Sequence, residues 1–144
     1  MAGVNGYSVG RDITVNINTA SGPLRLTSIT GFSAKPNKEE KQIRLLSGRR
    51  ISLFFPDGWG GQFDVARQDS TLDDYQAQVE ADYYSGLGIP TASITETITE
   101  PDGSVSQYRY IGVILYLEDA GDWKGNESVN QRLAFQAEQR IKVA

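Results

Sequence analysis

The segment from Ala92 to Leu117, ASITETITEPDGSVSQYRYIGVILYL, constrains the fold more than any other part of the chain. Glu100-Pro101-Asp102-Gly103-Ser104 is a turn. Proline presets φ at the first turn position, aspartate tolerates the next, and glycine takes the φ > 0 position that closes a type I turn with a bulge. If Glu100 faces Ser104, Ile94, Glu96 and Ile98 share one face with Ser106, Tyr108 and Tyr110. Ser93, Thr95, Thr97 and Thr99 share the other with Gln107 and Arg109. Slipping the register by one residue would mix the two sets, so their segregation argues for this pairing. Past Ile111 both faces turn apolar, with Val113, Leu115 and Leu117 on one and Ile114 and Tyr116 on the other. One end of the hairpin is thus expected between two layers of protein, while the other carries a hydroxyl-rich wet face.

The rest of the chain fits a single β domain spanning residues 1–144. That length buries enough surface for a real core. Strand patterns recur at Ile13, Val15 and Ile17, and at Leu24, Leu26 and Ile29, where the change of spacing suggests a bulge near Thr27-Ser28. Residues 33–40, SAKPNKEE, read as a polar loop. Gln42–Leu46 and Arg50–Phe55 read as a hairpin about Ser47-Gly48, and Pro56–Gly61 as a second turn cluster followed by a short strand at Phe63 and Val65.

One helix is expected, from about Thr71 to Ser85. Ser70 or Thr71 caps it, with Asp73 or Asp74 near the positive helix end. Leu72, Tyr75, Val79 and Tyr83 form its core-facing stripe, and Gly86 ends it. The last segment, 128–143, carries two periods. Val129, Leu133, Phe135, Ala137 and Ile141 alternate with polar residues as in a strand, yet Val129, Leu133, Ala137 and Ile141 also recur at helical spacing. Period alone leaves strand and helix both open.

The chain holds neither histidine nor cysteine. That removes the usual neutral-pH base, thiol nucleophiles, disulfides and the commonest zinc ligands. Asp73 and Asp74 sit about 100° apart on a helix and do not converge on one atom. Asp119 and Asp122 lack the further oxygen ligands of a calcium loop. Gly58-Trp59-Gly60-Gly61 has no Lys-Ser/Thr after it and is no phosphate loop, although Trp59 on a turn could stack on a sugar or a partner. Asn126-Glu127-Ser128 matches a glycosylation sequon, which has meaning only on a secretory route. Lys41, Arg44, Arg49 and Arg50 cluster on one hairpin, as a docking patch or a solvated face. With a net charge of −4, the chain as a whole is ill suited to gripping phosphates. No apolar run reaches the length of a membrane span, and the N-terminal residues lack the pattern of a secretory signal.

Several of these segments together resemble the tail tube proteins of contractile-tailed, myovirus-type bacteriophages. They are AGVNGYSVGRDITV at the start, FFPDGWGG, the single helix after a strand pair, the Ser93–Tyr110 hairpin, and DAGDWKG. The resemblance covers nearly the whole chain and rests on structural motifs. It implies an antiparallel β-sandwich or barrel with one flanking helix, and so favours strand for 128–143. It further implies six-copy rings whose inner sheets join around a lumen, stacked through an N-terminal arm (residues 1–10), a long loop and the C-terminus. The implied role is a structural conduit for DNA ejection, in the virion tail, made in the host cytoplasm. The implied partners are further copies of the chain, the sheath, baseplate and tail terminator proteins, and the tape measure protein and double-stranded DNA within the lumen, held without sequence-specific binding. No enzyme activity, cofactor or metal is implied.

On this resemblance the lumen is lined by Thr95, Thr97, Thr99 and Gln107, or by the even face of the last segment, Asn130, Gln136 and Glu138. Arg109, Arg132 and Arg140 then need carboxylate partners such as Glu138 across subunit boundaries. Residues 2–9 and 33–40, with Ala2, Val4, Tyr7, Lys35, Asn37 and Lys38, are the expected contacts between rings. Two other readings stay open: a baseplate tube component, and a β-sandwich module binding carbohydrate through Trp59 and Trp123.

Overall fold

The Glu100–Ser104 turn forms as its chemistry dictates. Ser104 O accepts from Glu100 N–H, Gly103 adopts φ +91°, and the Asp102 carboxylate accepts from both the hydroxyl and the N–H of Ser104. The flanking strands pair in the expected register, Ile94 with Tyr110, Thr95 with Arg109 and Thr97 with Gln107. A computed structural model describes residues 4–26 and 28–144. Within them the elements are β1 (Ile13–Thr19), β2 (Gly22–Leu24), β3 (Ile29–Arg44), β4 (Arg50–Ala66), α1 (Thr71–Tyr84), β5 (Ala92–Thr99), β6 (Val105–Asp119), β7 (Asn130–Ala137) and β8 (Gln139–Lys142).

All pairings are antiparallel, in the order β2-β1-β5-β6-β7-β4-β3, with β8 also on β6. β6 belongs to two sheets. Its first half pairs with β5 and β8; its second half, from Ile114, pairs with β7. The change falls at Gly112, whose φ of +61° suits glycine, and a Cβ there would lie 2.8 Å from that of Glu138. The β7–β8 chain breaks at the same level, where Glu138 N–H donates to Ile111 O. The two sheets therefore fold over one another about a common corner.

Their inner faces interdigitate as one core. Ile17, Ile94 and Tyr110 come from the first sheet, and Phe63, Val65, Leu133, Phe135 and Ala137 from the second. Ring centroids lie 4.8 Å apart for Phe32–Phe63, 5.7 Å for Phe63–Phe135 and 5.6 Å for Tyr110–Phe135. Such pairs contribute about 0.5–1.5 kcal/mol each beyond simple burial. Leu72 and Val79 of α1 are buried, and Tyr75 packs against the cluster.

The helix runs as expected, with one change at each end. Ser70 stands at the N-cap, but its hydroxyl donates to Asp74; Asp69 instead accepts from Thr71 N–H and Oγ1, which holds the Asp69 carboxyl below its ordinary range. At the other end Leu87 N–H reaches Asp82 O and Gly86 N–H reaches Tyr83 O, a Schellman closure with Gly86 at φ +84°. Tyr83 is exposed rather than part of the buried stripe.

Four sequence expectations are corrected. Residues 33–40 are not a loop and Pro56–Gly61 is not a turn, because both lie inside the long β3–β4 hairpin. Pro36 is tolerated because β3 is an edge strand, where a missing N–H leaves no ladder bond unmade. Asp57-Gly58 makes a bulge instead of a turn: the register skips one residue on β4 there, and Gly58 takes φ +79°. The last segment is strand, but not one strand. Odd residues point inward along β7, whereas past the break at Glu138 it is Arg140 that turns inward. The 24–29 region is likewise two strands in different sheets, and Thr27 lies outside the described residues.

Gly61 marks the tightest approach in the core: an added Cβ would meet the Ser33 carbonyl and stand 2.8 Å from the Phe135 ring. Gly61→Ala should lower unfolding free energy by about 1–3 kcal/mol in urea titrations. Gly10→Ala, with open space around it, should leave the midpoint unchanged.

Candidate assembly surfaces

A two-layer body presents two outward faces, and the expected lumen residues divide between them. On the first sheet Thr95 and Thr97 stand beside Gln107, whose amide lies 3.4 Å from the Thr97 hydroxyl, with Arg109 exposed nearby. On the second sheet Asn130 and Gln136 point outward from β7, opposite Ala66 and Gly60 of β4. Glu138 is at the corner beside Gly112 and not on the flat face. The two sets occupy opposite layers, so one lumen cannot be lined by both.

The second face is polar and nearly balanced in charge. Arg132 pairs with Asp64 at 3.1 Å across β7 and β4, and this carboxylate holds the guanidinium proton above its ordinary range. Asn37 Nδ2 reaches Gln136 Oε1 at 3.5 Å. Ser33, Lys35, Asn37, Gln62, Glu118 and Gln136 border a shallow depression of about 360 Å³. Residues expected between rings, Lys35 and Asn37, thus adjoin a residue expected in the lumen.

Arg140 finds a carboxylate partner within its own chain. Its Nη2 lies 3.3 Å from Glu96 Oε2, and its guanidinium sits 3.7 Å from the Tyr108 ring centroid and 4.6 Å from that of Trp59. Tyr110 Oη donates to the same Glu96 oxygen at 2.9 Å. Burial, then this bond to Glu96, pushes the Tyr110 hydroxyl well above the ordinary phenol range. The cluster fastens β8 to β6 by side chains as well as backbone. It also occupies a face of Trp59, which weakens that residue's case as a sugar platform. Trp123 remains 70% exposed, with Arg67 over its ring at 5.1 Å. No signal in the sequence paired Glu96 with Arg140, which stand 44 positions apart.

Beyond the body, residues 38–56 of the β3–β4 hairpin pair only with each other. This arm includes Lys38 and the expected basic cluster. It leaves Ile43, Leu45, Ile51, Leu53, Phe54 and Phe55 exposed. Near the chain start, Val4 and Tyr7 exchange backbone hydrogen bonds about Asn5-Gly6 and are themselves exposed; Ala2 lies outside the described residues. Among the described residues no group of three or more His, Cys, Asp or Glu could hold a metal, and no helix is long and apolar enough to cross a membrane.

No protein-family model and no curated protein matches the chain. Solved structures do match its fold. A chain of the anti-feeding prophage tube-terminating cap aligns over 100% of this chain and 95% of its own at 11% identity, TM-score 0.65. A chain of the tail of an empty gene transfer agent particle, refined with C6 symmetry, aligns over 95% and 99% at 14% identity, TM-score 0.57. The SPP1 tail tube aligns over 93% of this chain and 77% of its own at 11% identity, TM-score 0.56. The chain has the fold of these tail tube structures.

Arg140→Ala leaves the Glu96 carboxylate, at 8% side-chain exposure, with only the Tyr110 hydroxyl as partner and should cost about 3 kcal/mol in urea unfolding. Adding Glu96→Leu should recover part of that loss. Tyr110 holds its proton more tightly folded than unfolded, so stability should persist up to about pH 10 and fall above it. Tyr110→Phe should flatten that alkaline fall.

Proposed function

We propose that the chain is the repeating subunit of a phage-type tail tube, with six copies in each ring and rings stacked into a conduit for DNA. The observation that carries this reading is the unequal treatment of the sheet edges. The first sheet ends on β2 and β8, strands of three and four residues. Short edges are the usual protection against strand pairing. The second sheet ends on β3, whose residues 29–37 border the body and are unpaired on their outer side among the described residues. An edge of that length is what continues a sheet from one copy to the next, and closure into a ring removes it.

The tube-fold structures support the same arrangement, one of them refined in sixfold symmetry. If the second sheet is the shared wall, its outward face lines the lumen, through Asn130, Gln136, Gln62 and the paired Asp64–Arg132. Such a lining, amide-rich and without a cationic cluster, does not hold passing phosphates. The Thr95, Thr97, Thr99 and Gln107 face then turns outward, toward a sheath. Val4, Tyr7, Lys35, Asn37 and Lys38 lie between rings. Sheath, baseplate, terminator and tape measure proteins are the partners of such a tube, and the virion tail is its location.

Gln136→Lys should leave particle assembly intact and reduce DNA delivery, whereas Thr97→Lys should leave delivery unchanged. Particle counts by electron microscopy and transferred DNA per particle read the two effects. The reverse pattern would move the lumen to the first sheet, and failure of the chain to enter particles at all would refute the tube.

A further inference from the structure

We propose that the β3–β4 arm of one copy docks in the groove between α1 and β6 of a second copy. This rests on the tube reading above and names the surface that receives the arm. The arm is an amphipathic two-stranded ribbon. Its register places Ile43, Leu45, Ile51, Leu53 and Phe55 on one face, each 37–47% exposed. Glu40, Gln42, Arg44, Arg50 and Ser52 lie on the other with Phe54, while Glu39 and Lys41 flank the apolar stripe. It reaches roughly 25 Å beyond the body at the usual rise of a strand. A bare hairpin of this kind is marginally stable in water unless its apolar face is covered. Between Lys38 and Phe55 it holds five basic and two acidic residues, within a chain of net charge −4.

The groove has the complementary character. It is an open channel of about 460 Å³ lined by Val79, Tyr83, Tyr84, Ile89, Ile114 and Tyr116, with Glu80 at its margin. Ile114 and Tyr116 are the second apolar face of β6, for which the sequence predicts cover, and within one copy they remain 39% and 42% exposed. Helix α1 carries Asp73, Asp74, Glu80 and Asp82 and no basic residue. Arm and groove are both uncovered in the same molecule, so neither serves the other within one chain. The match of an apolar stripe edged by cations to an apolar channel edged by carboxylates selects a second copy as the occupant. The contact is heterologous: every copy offers one arm and one groove, so it propagates into rings or stacks instead of stopping at a dimer.

The absence of native cysteine makes the test direct. In Leu53→Cys/Tyr83→Cys, a short bis-maleimide added to the assembled protein should give a ladder beyond dimer on denaturing gels. Each single variant should stay monomeric. Rods or rings that form without a ladder, or dimers from Leu53→Cys alone, would overturn the docking while leaving the tube standing. Failure to assemble at any concentration would overturn both. Independently, Arg49→Glu/Arg50→Glu should raise the concentration needed for assembly about tenfold, and Glu80→Lys should restore part of it. An unchanged assembly concentration in the arm variant would count against the proposal.

Discussion

One strand holds the two layers of this protein in register. β6 leaves the first sheet at Gly112 and enters the second at Ile114, and the β7–β8 chain turns with it at Glu138. Because Gly112 is at φ +61° with Glu138 against it, the corner admits little at that position besides glycine. The bend brings Tyr110 of one sheet against Phe135 of the other. It also brings Arg140 back over Glu96, so the C-terminal strand is anchored by a buried ion pair among aromatic rings.

That corner leaves the body with two unlike borders. Short strands finish the first sheet, and a long bare strand finishes the second. The same long strand runs on into an arm that has no core of its own. A protein meant to remain single would be expected to blunt such an edge and shorten such an arm. Here the lysines and Pro36 on β3 are its edge devices, yet the aliphatic and aromatic stripe on the arm is left open. On the tube reading, its function resides in surfaces that further copies of the chain complete.

Legibility in the sequence followed the locality of the physics. The 94–110 hairpin was readable in its pairing because its turn is coded within five residues and its two faces segregate by polarity. Helix α1 was readable from its caps and spacing. Local rules misled at SAKPNKEE and at PDGWGG, where tertiary context turned turn-forming residues into an edge strand and a bulge. The alternation of Ile51, Leu53 and Phe55 was visible, but the length of the arm was not, because it depends on β3 pairing over its whole span. The Glu96–Arg140 pair and the inversion of facing at Glu138 arise from the corner and leave no local trace. The lumen alternatives, Thr95–Thr99 or Asn130–Gln136, could be recognised as exclusive only once they were seen on opposite layers.

Amide hydrogen exchange, compared between dilute monomer and assembled protein, tests the central claim most directly. If copies complete one another along the second sheet, the outer amides of β3 and those of residues 38–55 should exchange rapidly in the monomer and become strongly protected on assembly, while β2 and β8 change little. Equal exchange in the two states along β3 and the arm, or protection confined to the first sheet, would contradict it.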